Sequence, residues 1–235
     1  MRRIPINGSR WWRLVLLGLL ACAARIEQAP ATDCDAETAD DGVVVLFDGS
    51  SLDDWQWVES GGSAPVVIAD KAMRIGAGEM VSGVVFKKAD ALPKIDYEIE
   101  LHARRLSGTD FFLGLTFPVG DEDSFGTLVL GGWGGTLVGI SSIDGLDAPD
   151  NSSACYHRFE PEQWYRVKLR VSAEALTVWI DDDKVVDTDI SDKKISLRPG
   201  PIEDFKGLSL TTFQTIGEIR EVKLRPLQAA AEPGD

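Results

Sequence analysis

Positive charge is scarce in this 235-residue chain: 24 Lys and Arg stand against 38 Asp and Glu, a formal net charge of −14. Nucleic-acid phosphates are held by clustered cations, so this balance excludes a nucleic-acid partner. It also disfavours docking on an anionic membrane surface. Histidine and cysteine are scarcer still, with two and three residues. No C-x-x-C pair occurs, which removes the usual zinc frameworks. Long apolar runs are missing too: the run at residues 14–21 falls well short of the ~20 residues needed to span a bilayer. There is no Ser-His-Asp constellation, H-E-x-x-H helix, dinucleotide fingerprint or phosphate-cradling G-K-S/T. No segment reads as a long amphipathic helix and no repeat of fixed period occurs, which argues against propellers and solenoids.

What is present begins with an export pattern. Arg2, Arg3, Arg10 and Arg13 precede the short apolar run, as in a signal peptide. The stretch L-L-A-C ending at Cys22 resembles the bacterial lipobox, in which the cysteine is lipidated after cleavage. Ordinary cleavage after a small residue is the alternative. We therefore expect a signal segment at 1–21, a flexible Ala-, Asp- and Glu-rich linker at 22–41, a folded domain at 42–227 and a disordered tail at 228–235. The expected location is exported, either as a periplasmic or outer-envelope lipoprotein or as a secreted protein. Membrane contact is expected only through that anchor. Cys34 and Cys155 either remain free thiols or pair in an oxidising compartment.

Within residues 42–227 the dominant period is two. Tyr97, Ile99, Leu101 and Ala103 alternate with Glu98, Glu100, His102 and Arg104. Tyr165, Val167, Leu169 and Val171 alternate with Trp164, Arg166, Lys168 and Arg170, and Leu176, Val178 and Ile180 follow the same rule. Such alternation marks half-buried antiparallel strands, and Asp181, Asp182 and Asp183 supply a polar hairpin turn. Further short strands are expected at 43–47, 66–68, 73–75, 83–87, 111–117, 127–130, 137–140, 184–186, 208–212 and 219–224. Ten or more short strands punctuated by Gly, Asp and Pro predict an all-β sandwich.

Three motifs then carry a resemblance. The opening V-V-L-F-D-G-S-S-L-D-D-W (44–55), the run E-Q-W-Y-R-V-K-L-R-V (162–171) followed by L-T-V-W-I-D-D-D-K-V-V-D (176–187), and the closing I-R-E-V-K-L-R-P-L (219–227) stand in order. Together they resemble the 3-keto-disaccharide hydrolase domain family. The resemblance implies a concanavalin A-like antiparallel β-sandwich, or jelly roll, acting on a saccharide or 3-keto-glycoside by hydrolysis or by elimination and rehydration. In that chemistry a ketone at C3 acidifies the C2 proton, so one general base can remove it and expel the C1 substituent. A non-catalytic glycan-binding or cell-surface interaction module on the same sandwich is the alternative. The chain departs from the family pattern at Gly108-Thr109-Asp110 and over 127–144, so the family's polar cleft residues do not carry over one by one.

Candidate site residues must therefore be argued locally. Asp110, Asp144 and His157 are the candidate acid–base groups, and Asp110 reads equally as a turn aspartate bonding its own backbone. Trp133, among Gly131, Gly132, Gly134 and Gly135, is the candidate sugar platform, because an indole stacks on a pyranose and glycine lets a ligand approach the backbone. Its alternative is a tight corner with Trp133 in the core. Ser141 and Gln214 are candidate partners for sugar hydroxyls. No cofactor is expected, with calcium the one divalent cation that Asp144, Asp147, Ser141 and Ser142, or the acidic loop 121–123, could take through oxygen.

Overall fold

The computed structural model describes residues 42–121 and 123–227. The expected signal segment, linker and tail, with Cys22 and Cys34, lie outside the described residues. No described helix is long and apolar enough to cross a membrane.

Fifteen strands follow one another among the described residues. They are β1 (Val44–Phe47), β2 (Trp55–Trp57), β3 (Val66–Ala69), β4 (Ala72–Ile75), β5 (Val81–Phe86), β6 (Tyr97–Ser107), β7 (Leu113–Pro118) and β8 (Phe125–Gly131). Then come β9 (Leu137–Ser141), β10 (Cys155–Tyr156), β11 (Tyr165–Val171), β12 (Ala175–Ile180), β13 (Asp183–Asp189), β14 (Ser209–Phe213) and β15 (Ile216–Pro226). The first sheet runs β13-β12-β11-β6-β15-β4-β3, with β1 also paired to β15; the second runs β10-β9-β8-β7-β14-β5-β2. Every pairing is antiparallel. The fold is the antiparallel β-sandwich that the alternation predicted, in the jelly-roll form that the family resemblance implied.

Register explains which faces meet. Leu101 of β6 stands opposite Val167 of β11, which stands opposite Ile180 of β12, so the apolar faces of these strands coincide and are buried. Leu113, Leu115 and Phe117 of β7, Leu128 and Leu130 of β8, and Val138 and Ile140 of β9 close the core from the second sheet. Trp55 and Tyr97 reach into it and settle their polar atoms on the carbonyls of Leu46 and Pro118. The opening and closing motifs meet here, since β1 pairs with β15.

The outer faces differ. On the first sheet it is charged and solvated, and Glu218, fully buried there, is held by Arg74 and Arg104 at 2.6 Å each. On the second sheet it is small and covered. Gly114, Thr116, Thr127, Gly139 and Ser141 point away from the core yet are buried: Phe111 lies over Gly114, Ala148 and Ser153 lie over Gly139, and residues 198–202 lie across Thr127 and Ser141. Ile195 bridges Ile143, Ser142 and Ser196 exchange backbone hydrogen bonds of 2.9 and 3.1 Å, and the Ser124 hydroxyl bonds the Ile195 carbonyl at 3.0 Å.

Candidate functional site

The covering segment leaves a cleft of about 270 Å³ between itself and the sheet. Its floor is Val81 from β5, Thr127 and Val129 from β8 and Ser141 from β9, the outward positions of those strands. Phe111 and Phe213 form one wall, with ring centroids 5.9 Å apart and planes 29° from parallel. Arg198, Pro199, Pro201 and Ile202 form the roof, and Met80 and Trp133 stand at the mouth.

Local sequence explains the tryptophan's position. After β8 the chain turns through residues 131–135 with Gly131 at φ 77°, Trp133 at 46°, Gly134 at 93° and Gly135 at 103°. A Cβ at Gly131 would stand 3.0 Å from the Phe112 ring, and one at Gly135 3.0 Å from the Arg105 guanidinium, so both positions need glycine for conformation and for space. Arg105 fixes the turn by donating to the carbonyls of Gly135 (3.2 Å) and Phe159 (2.9 Å). The result is an indole 42% exposed rather than packed in the core.

Asp110 reaches the same corner from the connection between β6 and β7. Its backbone N–H donates to the Thr215 hydroxyl, which donates back to the Asp110 carbonyl, both at 3.2 Å. Its carboxylate accepts the Phe111 N–H at 2.8 Å and the backbone N–H of Trp133. Burial raises this carboxyl above the ordinary aspartate value, against the lowering effect of those two donors. Asp110 is thus a turn aspartate and also lies against the backbone that carries the exposed indole. Gly132 is buried beside both of them.

The polar groups inside the cleft are already partnered. The Thr127 hydroxyl is 3.0 Å from that of Thr116. The Ser141 hydroxyl donates to Asp147 at 3.0 Å, Asp147 pairs with the Arg198 Nε at 2.9 Å, and the Arg198 guanidinium lies 5.6 Å from the Trp133 ring centre. Arg198 is the one charged residue among the lining side chains.

The other candidates lie elsewhere. Asp144 is exposed in a turn, where the Lys194 N–H and, after it, the Lys193 ammonium hold its carboxyl below the ordinary value and staple the covering segment. His157 packs on Phe159 and Tyr165, at 4.7 and 5.7 Å between ring centres, behind the glycine turn. Gln214 is the left-handed residue after β14, and its amide donates to the Glu79 carbonyl at 2.9 Å. Asp110, Gly132, Trp133 and Ser141 therefore gather at one corner, while Asp144 and His157 do not line the cleft. No group of three or more His, Cys, Asp or Glu converges among the described residues, and Asp144 and Asp147 turn to different cations. Cys155 makes no disulfide with another described residue.

The sequence reading missed Phe111, Phe213 and the roof. One signal could have found the roof: residues 190–208 lack a strand, and loops beyond about 12–15 residues are commonly functional.

Residues 42–203 match the family of 3-keto-alpha-glucoside-1,2-lyase-like domains. Among solved structures, a Crh5 transglycosylase in complex with NAG is 13% identical, with 81% of this chain and 86% of that one covered at a TM-score of 0.53. The carbohydrate-binding module CBM66 of Bacillus subtilis is 12% identical, with 73% and 95% covered at 0.51. A candidate glycosyl hydrolase of Parabacteroides distasonis is 14% identical, with 79% and 94% covered at 0.50. At these identities they establish the shared sandwich. No curated protein matches the chain.

Proposed function

Because the chain belongs to the 3-keto-alpha-glucoside-1,2-lyase-like domain family, we propose that it is a saccharide-binding domain whose site is the Trp133 cleft. The observation that carries this reading is the indole itself, held exposed at the mouth of the cleft on a left-handed turn that glycines make room for. A pyranose has a face of C–H groups that lies well on such a ring. Binding is favoured over acid–base catalysis because ionisable groups do not converge in the cleft, where Arg198 alone is charged among the lining residues and is already paired with Asp147.

A second reading, cleavage of a 3-keto-glycoside, is favoured by one observation: the half-buried Asp110 carboxyl, raised by burial, lies against the Trp133 backbone. Asp110 would take the C2 proton, whose bonding pair forms a C1=C2 double bond as the C1–O bond breaks. The departing oxygen collects a proton, and water adds across the enone to restore the 3-keto sugar. Incubating the purified chain with methyl β-D-glucoside and with an aryl 3-keto-glucoside separates the readings, with binding followed by calorimetry and aglycone release by absorbance. Binding that depends on Trp133 without release supports the module. Release abolished by Asp110→Asn supports the enzyme, and no interaction with either sugar rejects both.

A further inference from the structure

We propose that the interior of the cleft is a subsite for a flat, neutral, apolar aglycone, so that the preferred ligand is an aryl glycoside whose sugar stays at the mouth on Trp133. This rests on the saccharide reading and adds the ligand's second half.

The cleft has the volume for an aromatic ring. An apolar cavity of about 150 Å³ suffices for benzene, and the cleft offers about 270 Å³, enough for a substituted or bicyclic ring. Its walls are of matching character: the Phe111–Phe213 pair on one side, Val81 and Val129 below, Pro201 and Ile202 above.

Hydrogen bonding argues against a sugar inside. A buried pyranose would bring several hydroxyls past Thr127 and Ser141, whose own hydroxyls are engaged with Thr116 and Asp147. Hydroxyls left without partners in such a site lose their hydration uncompensated. An aryl ring brings none. Charge sets the remaining condition. Arg198 is neutralised by Asp147, Asp110 lies beside the mouth, and the chain carries a net charge of −14. A carboxylate on the aglycone would lose its hydration and would have to compete with Asp147 for Arg198, so the ring should be uncharged.

Calorimetric titration of the whole chain with methyl, phenyl and 4-carboxyphenyl β-D-glucoside tests this. Phenyl should bind about tenfold tighter than methyl, as expected for burial of one ring's apolar area, and the carboxylate should lose most of that gain. Val129→Phe, which fills the floor, and Ile202→Asp, on the half-exposed roof, should each bring the phenyl-to-methyl ratio to about one. Thermal unfolding of both variants checks that they are folded, and either one suffices for the test. A wild-type ratio below about two, or a ratio that survives both substitutions, overturns the subsite while leaving the saccharide reading standing. Failure of both neutral glycosides to bind overturns the saccharide reading and this one with it.

Discussion

Replacing Trp133 by glycine tests the ring's contact with sugar apart from its packing, because affinity and stability are read independently. Trp133 is 42% exposed, which for an indole of roughly 250 Å² leaves about 100 Å² open. A sugar lying on one face covers about half of that, and at about 25 cal/mol per Å² the contact contributes ~1.3 kcal/mol. The dissociation constant for methyl β-D-glucoside should therefore rise about tenfold.

Stability should fall as well, by an amount that can be worked from the same exposure. Trp133 sits at φ 46°, a left-handed conformation that costs an L-residue roughly 1–2 kcal/mol and that glycine adopts freely. Against that relief stand about 0.5–1 kcal/mol for the extra freedom of glycine in the unfolded chain. The exposed Arg198 contact adds about 0.5–1 kcal/mol more to the loss. Removing the covered part of the ring, about 150 Å² at ~25 cal/mol per Å², costs a further ~3–4 kcal/mol, so the variant should lose about 2–4 kcal/mol and its thermal midpoint should fall by roughly 5–15 °C. Scanning calorimetry and isothermal titration read the two quantities on one preparation. A midpoint that stays within about 2 °C of wild type would contradict the partial burial of the ring. An affinity changed less than about twofold would remove it from the site.

Three further outcomes follow from other parts of the fold. Glu218→Ala leaves Arg74 and Arg104 without their carboxylate; both are partly exposed and rehydrate in part, so the loss should be about 2–4 kcal/mol. Thermal unfolding should show the midpoint falling by roughly 5–15 °C, little relieved by salt because the site is buried. Gly83→Ala would drive a Cβ to 2.2 Å from the Leu210 carbonyl oxygen, forcing β5 from β14 beside Phe213. Urea titration should register about 2–3 kcal/mol, and calorimetry should register weaker glycoside binding. Asp110 carries a raised carboxyl, so its contribution is fully present below the unfolded value near 3.8 and is lost as pH rises through the folded one. Asp110→Asn should therefore gain on wild type between about pH 3 and pH 7 in urea midpoints, and a variant that loses ground over that interval contradicts the assignment.

The two sheets were unequally legible in the sequence, for one physical reason. A strand betrays itself by alternation only when one of its faces meets water. The outer face of the first sheet does, so Glu98, Glu100, His102 and Arg104 on β6 and Arg166, Lys168 and Arg170 on β11 mark the inward residues without ambiguity. In the second sheet β7 and β8 are buried at every position. There L-G-L-T-F-P and F-G-T-L-V-L-G record two contacts at once, core on one side and covering segment on the other. Glycine and threonine at the outward positions leave room for what lies over them: a Cβ at Gly114 would meet the Thr211 hydroxyl and the Phe111 ring. The site inherits the same division. Trp133 could be read because its glycines are neighbours in sequence and announce a backbone that only they can follow. Phe111, Phe213 and Ile202 could not, since each acquires its role from a partner far away along the chain. Asp110 and Trp133 were each legible alone, and their contact was not, because it arises where the β6–β7 connection and the end of β8 arrive at one corner of the sandwich. A cleft made by laying an irregular segment over a sheet face thus leaves its clearest mark in strands that lose their alternation because both faces are buried.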